Sequence, residues 1–342
     1  MRCAAFNTGP EFHMLDHIAP LAALMQMPLI TTEEKNYHLA CKYYPQVATY
    51  FLPDLEFRLG EITEQFDVLF ECKYWGAHLK QLFQDLYQKK MRLVFCPHGQ
   101  SDKGFQAPVL AQYIQQDLVL LYGDLLIDML KSLNLWSLIS HYAIVGNYRF
   151  KFYQKHKAFY DSFTRNIIPL DPKKKTLLYA PTWKDKDGST SFFEYGPKVL
   201  SEHPSDWNLI IKMHPLLEQK NPAQFHKTLA WVDKKPNAFL IHDFPPVYPI
   251  LSLADVYLGD FSSVGYDFLA FQKPLCFFPI NQTGKLHECG RIIDPTQNLY
   301  LQIDQLSVHK EQNTLFSYAF AEEQNVKENI LNSLIHSQEI ES

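Results

Sequence analysis

Two histidines stand where short apolar runs give way to loops. His98 follows Leu93-Val94-Phe95-Cys96-Pro97 and precedes Gly99, whose missing side chain lets a ligand come close; His214 follows Leu209-Ile210-Ile211-Lys212-Met213 and precedes Pro215. Imidazole titrates near neutrality and is the usual general acid or base. A third polar turn, Asp260-Phe261-Ser262-Ser263, follows the apolar run 256–258 and opens an apolar-faced stretch, 264–271, that stops at Lys273-Pro274. Serines at a helix start either cap the helix and do no more, or join the unpaired backbone N–H groups in holding a phosphate or diphosphate. Thr182, Trp183 and Lys184 follow the run 177–179 and suit a phosphorylated ligand, with a solvated turn as the plain alternative. His13, Asp16 and His17 cluster after the first apolar run. Their spacing suggests a metal but lacks a further ligand, so acceptor binding or helix-start chemistry fits better, and neither metal nor cofactor is expected.

These residues need elements to hold them. Apolar runs at 3–6, 29–31, 66–70, 93–96, 118–122 and 142–145 alternate with helix-like spacing at 15–25, 78–89 and 125–133. A helix is expected over 150–163, and the alternation restarts with strands at 176–179, 208–213, 239–241, 256–258 and 275–278. Such alternation predicts parallel α/β sheets, and in open α/β sheets ligands bind outside the carboxyl ends of the strands. The polar, proline-punctuated segment 168–173 divides the chain into Rossmann-like domains at 1–165 and 166–310 facing a central cleft, followed by a helical tail over 311–342.

Composition narrows the function classes. With 342 residues, 46% hydrophobic and 20% charged, the chain is long enough for about two globular domains. A net charge of −5 argues against a nucleic-acid partner, which calls for a basic face. Six scattered cysteines without a C-x-x-C pair read as reduced thiols, and the N-terminus lacks an apolar signal-peptide core. A cytoplasmic protein follows as the expectation, with membrane contact restricted to the periphery. The sequences H-E-x-x-H, G-x-S-x-G and the P-loop are missing, which removes support for zincin, α/β-hydrolase and P-loop NTPase readings.

In order, Pro97-His98-Gly99, Gly146-Asn147-Tyr148-Arg149, Leu178 through Asp185, Lys212-Met213-His214-Pro215 and Ala254 through Ser263 to Lys273-Pro274 resemble the CDP-glycerol glycerophosphotransferase family. These are the primases and polymerases of teichoic acid synthesis, with a GT-B fold. The resemblance runs from about residue 90 to 280. It implies an enzyme in which His98 is the base that activates an acceptor hydroxyl and His214 contacts the donor phosphates. It further implies that Asp260, Ser262 and Ser263 hold the diphosphate, with Gly99, Thr182 and Lys184 as further substrate contacts. The implied donor is CDP-glycerol or a related CDP-alcohol. The implied acceptor is a glycan, a polyol-phosphate or a lipid-linked chain, reached at the inner membrane face. Pro97 stands where the family often has Trp, and Lys184 where it commonly has Arg, losing the bidentate fork for phosphate. A GT-B glycosyltransferase using a nucleotide sugar is the alternative enzyme, and an idle module that keeps the phosphate site is the alternative without catalysis.

Overall fold

The computed structural model describes residues 1–73, 77–103, 110–184 and 190–339. It holds two wholly parallel sheets. The first contains β1 (Cys3–Asn7), β2 (Leu29–Thr31), β3 (Thr49–Phe51), β4 (Val68–Glu71), β5 (Arg92–Phe95), β6 (Leu118–Leu121) and β7 (Tyr142–Ile144), in the order β3-β2-β1-β4-β5-β6-β7. The second contains β8 (Lys175–Ala180), β9 (Trp207–Lys212), β10 (Ala238–Ile241), β11 (Val256–Gly259), β12 (Leu275–Phe277) and β13 (Arg291–Ile292), in the order β10-β9-β8-β11-β12-β13. This is a GT-B-like α/β architecture. Central strands such as β4, β5, β6 and β11 are buried along their whole length, which is why they read as unbroken apolar runs rather than alternating ones.

Each sheet reverses its strand order once, between β1 and β4 and between β8 and β11. A crevice opens at such a point because the flanking connections leave to opposite faces. Asn7 to His13 leave β1 and Cys72 leaves β4 at the first reversal; Pro181 and Thr182 leave β8 and Asp260 to Ser263 leave β11 at the second.

A buried ion cluster joins the two sheets. Arg149 opens the helix Tyr148–Lys155 after β7, and its Nη1 lies 2.8 Å from Asp16 Oδ2 in the helix Leu15–Met25 after β1. Its Nη2 pairs with Asp267 in the helix Ser263–Phe268 after β11. Arg149 is 2% exposed, so neither water nor salt screens the cluster. Val247 N–H donates to Asp16 Oδ1 at 3.2 Å, and the Tyr248 hydroxyl lies 2.9 Å from Asp267 Oδ1 and 2.8 Å from Asn147 Oδ1. Burial works against the charge on Arg149, but Asp267, Tyr248 and Asp16 outweigh it and lift its pKa well above the ordinary value. A second joint lies at Asp102, which accepts from the Tyr266 hydroxyl at 2.7 Å and from Lys285 N–H at 2.9 Å.

The tail folds back on the first sheet. The helix Val326–Glu339 packs on β7 and β6, Arg92 Nη1 donates to the Leu334 carbonyl at 2.6 Å, and Ala321 N–H donates to the Tyr122 carbonyl at 2.9 Å. Gly146, with φ +55°, leaves no room for a Cβ beside the Ala321 carbonyl. The helix expected over 150–163 is two helices, Tyr148–Lys155 and Lys157–Ile167, broken at His156. Among the described residues no helix is long and apolar enough to cross a membrane.

Removing one member of a buried ion cluster leaves uncompensated charge, typically at a cost of about 3–5 kcal/mol. Arg149→Met should lower the unfolding free energy by about that much in urea titration. A loss under about 1 kcal/mol would mean that the cluster does not hold the halves together.

Candidate active site

The two crevices face one another across a cleft of about 430 Å³. From the first sheet's side it is lined by Glu11, His13, Asp16, His17, Pro97, His98, Gly99 and Arg149; from the second sheet's side by Thr182, Trp183, Lys212, His214, Ser262, Ser263 and Asp267. Six of the residues singled out in the sequence, His98, Gly99, Thr182, His214, Ser262 and Ser263, therefore meet in one place.

His98 is brought to Ser263 by Gly99. Its φ is +122°, and a Cβ built there would lie 2.7 Å from both Cβ and Oγ of Ser263, so a residue without a side chain is needed on both counts. The Pro97 carbonyl is anchored by the Tyr122 hydroxyl at 2.7 Å. Because that phenol proton is committed, the 3.0 Å contact between Tyr122 and His17 has His17 Nδ1–H as donor. His17 Nε2 then carries the lone pair that faces Arg149 Nη1 at 3.4 Å. A continuous chain of hydrogen bonds thus runs from the Arg149 cluster to the peptide that carries His98.

The site's histidines are held neutral. His98 is exposed at the cleft, and desolvation by the atoms packed around its ring lowers its pKa while a bond to the Cys72 backbone opposes this. A bond that favours the protonated ring is one in which a ring N–H donates, so the other nitrogen of neutral His98 offers a lone pair. His214 has the opposite polarity. Its Nδ1 accepts from Leu216 N–H at 3.2 Å as the cap of the helix Pro215–Lys220, so its proton sits on Nε2 and makes it a donor. Burial, with His13 and Lys212 nearby, takes the His214 pKa well below 6.5. The His13 ring lies between the two, 6.4 Å from His98 and 5.5 Å from His214 by ring centroids, and burial lowers its pKa to about 4.

Lys212 supplies positive charge. It is the last residue of β9, lines the cleft, and has no hydrogen-bond or ion-pair partner among the described residues. Desolvation brings its pKa below the ordinary lysine value, and the attraction of Asp16 and Asp267 offsets only part of that. In the sequence Lys212 stands in the motif Lys212-Met213-His214-Pro215 with no role of its own; a lysine closing an apolar strand beside a histidine is the available signal.

Two expected substrate contacts lie off the cleft. Asp260 is fully buried, and its carboxylate accepts from Thr182 N–H at 2.8 Å, so it braces the ends of β8 and β11 against each other. Burial raises its pKa to about 6 despite bonds from Ser191 and Thr182. Lys184 is exposed, with its ammonium 6.0 Å from the Phe193 ring, and Asp185 lies outside the described residues. Ser262 Oγ accepts from Val264 N–H at a long 3.4 Å, the capping geometry, while still lining the cleft with Ser263. In the cluster after β1, Asp16 is taken up by Arg149 and both nitrogens of His17 are engaged; no group of three His, Cys, Asp or Glu among the described residues could hold a metal ion.

Residues 143–294 match the family model for CDP-glycerol:poly(glycerophosphate) glycerophosphotransferase, a span that takes in Arg149, Thr182, Lys212, His214 and the serine turn. Across these residues the chain is similar to that family. The teichoic acid glycerol-phosphate primase of Bacillus spizizenii is 28% identical over 110 residues, 32% of this chain and 26% of the primase. The teichoic acid ribitol-phosphate polymerase TarL of Staphylococcus aureus is 31% identical over 117 residues, 32% of this chain and 19% of the polymerase. The matched part is thus about a quarter or less of these curated relatives. In fold, the chain is similar to the wall teichoic acid polymerase TagF (TM-score 0.64, 14% identity, 99% of this chain and 89% of that one). It is also similar to the UDP-GlcNAc 2-epimerase of Neisseria meningitidis bound to UDP-GlcNAc (TM-score 0.65, 13% identity, 98% and 100%). The glycerophosphotransferase match thus bears out the resemblance read from the motifs within residues 143–294, and the structural likenesses bear out the GT-B-like fold.

The neutral histidines set the acid limit of stability. A histidine whose folded pKa is depressed binds its proton in the unfolded chain first, so stability is full above about 6.5 and falls as pH drops toward the folded value. For His13 that window runs from 6.5 to about 4, and His98, His17 and His214 act in the same direction. Glu71, buried at the end of β4, acts oppositely, its pKa raised from 4.5 to about 8 by burial, so its contribution is lost as pH rises through that interval. Glu71→Gln should therefore gain stability over the parent at pH 8.5 relative to pH 5 in paired urea titrations. An equal difference at both pH values would show that Glu71 is ionised throughout.

Proposed function

We propose that the chain transfers a glycerol-phosphate or similar polyol-phosphate unit from a CDP-alcohol to an acceptor hydroxyl, releasing CMP. The observation that carries the reading is the close approach of Gly99 to Ser263. It sets the lone pair of His98, from one half, against a donor-lined anion site in the other. On this reading residues 1–165 form the acceptor side, 166–310 the donor side, and 311–342 a tail that ties them.

His98 accepts the acceptor's proton as its oxygen bonds to the β-phosphorus. The bond from that phosphorus to the bridging oxygen breaks, and its electron pair leaves with CMP. Nε2–H of His214, the Lys212 ammonium and the hydroxyls of Ser262, Ser263 and Thr182 meet the charge on the diphosphate. Asp260 holds the Thr182 turn in place. Phosphoryl transfer asks little covalent chemistry of a protein; positioning and electrostatics in a dry site supply most of the acceleration. Lipid-linked acceptors would bring the protein to the inner membrane face as a cytoplasmic, peripheral visitor.

A nucleotide-sugar reaction on the same fold is the second reading, favoured by the likeness to an epimerase bound to UDP-GlcNAc. The released nucleotide separates the two. Incubated with CDP-glycerol and a short poly(glycerophosphate) acceptor, the protein should release CMP, and His98→Ala should lower turnover about 100-fold or more. Release of UDP or GDP from nucleotide sugars, with CDP-glycerol inert, would replace the phosphotransferase reading. Unchanged turnover in His98→Ala would remove the histidine from the base role.

A further inference from the structure

His13 has features that packing does not explain. It sits in the 3-10 turn Phe12–Met14 that leaves β1 at the first sheet's strand reversal, so it belongs to the half of the molecule opposite the anion site. Its ring nevertheless reaches across to within 5.5 Å of the His214 ring and 6.4 Å of the His98 ring, between the groups given the donor-phosphate and base roles above. Its Nδ1 is buried and has no hydrogen-bond partner among the described residues. An unpaired buried polar atom is costly to a fold, and one that persists calls for an explanation such as a function or a ligand that uses it.

We infer that His13 is a further catalytic residue, which hydrogen-bonds the phosphoryl group in transit between the CDP-alcohol and the acceptor oxygen. The inference rests on the transfer reading proposed above and adds the residue that handles the reacting phosphorus itself. Flanked by His98 on one side and by His214 and Lys212 on the other, a ligand bridging those groups passes the His13 ring. A neutral imidazole is the appropriate group there. It donates one hydrogen bond to a non-bridging oxygen without competing with His98 for the acceptor's proton, since with a pKa of about 4 it is a poor base. Proton bookkeeping is unchanged: the acceptor's proton goes to His98, the electron pair leaves with CMP, and His13 gains and loses nothing. Because His13 comes from the first half and the diphosphate site from the second, this bond forms only when the Arg149 cluster holds the halves together.

The test uses the full chain as wild type, His13→Gln and His13→Phe. CDP-glycerol affinity is read by calorimetry, CMP release by turnover with a poly(glycerophosphate) acceptor, and stability by urea titration. The contact is made chiefly as the phosphoryl group moves, so donor affinity should change by less than about threefold while kcat falls about 100-fold in His13→Phe, the scale for losing one preorganised donor. His13→Gln, which keeps a donor, should recover much of the loss. Stability should be unchanged or higher in His13→Phe, since the unpaired nitrogen is gone. An active wild type with kcat unchanged in both variants overturns the role. So does a kcat loss matched by an equal loss of stability in both, which would make His13 a packing residue. Wild-type protein that releases no CMP at all removes the transfer reading and the inference with it, a result distinct from either.

Discussion

Arg149 is the constraint on which the rest of the molecule depends. Its guanidinium joins a carboxylate from a helix of each sheet, at 2% exposure, directly beneath the cleft. A buried ion cluster is weak evidence for net stability, since desolvating the charges can cost more than their attraction returns. Its value here is directional. An apolar contact would let the two sheets slide, whereas a planar fork bonded to two carboxylates fixes their relative angle. Val247 N–H satisfies the second oxygen of Asp16, and the Tyr248 hydroxyl shares Asp267 Oδ1 with Arg149, so neighbouring bonds hold both carboxylates in place.

From that anchor the site follows by short steps. Arg149 meets His17, His17 meets Tyr122, Tyr122 holds the Pro97 carbonyl, and the next residue is His98. On the other side, Asp267 shares a short helix with Ser263, and Ser263 lies against Gly99. The same cluster therefore sets both partners in the proposed reaction. Electrostatically the cleft combines neutral imidazoles with the Lys212 ammonium, which has no hydrogen-bond or ion-pair partner among the described residues, while the carboxylates of Asp16 and Asp267 on its wall are taken up by Arg149. In the proposed reaction that leaves the ammonium for a diphosphate.

Much of this was legible in the sequence. Of the thirteen strands among the described residues, eleven correspond to predicted apolar runs, because buried parallel strands leave an unmistakable composition. The two that escaped, β3 and β13, are short edge strands whose residues are largely exposed, so burial left no pattern to read. His98, His214 and the serine turn were legible because strand ends in open sheets are where ligands bind. Arg149 was seen as part of a motif but not as the joint, since its partners lie 133 and 118 positions away and nothing local announces them. Asp260 and Lys184 show what strand-end position leaves open. Each stands at a strand exit, but one turns inward to brace Thr182 and the other outward over Phe193, a choice made by tertiary packing.

In the proposed reaction, one arrangement of the two halves sets a base from the first against a diphosphate held by the second. A crystal structure of the His98→Ala variant with CDP-glycerol tests it most directly. The expected result places the diphosphate between Ser262, Ser263, Lys212 and His214, with the β-phosphorus facing residue 98 and the Arg149 pairs to Asp16 and Asp267 intact. A nucleotide bound elsewhere, or bound in this cleft with the Arg149 pairs broken and residue 98 turned away from the phosphorus, would contradict it.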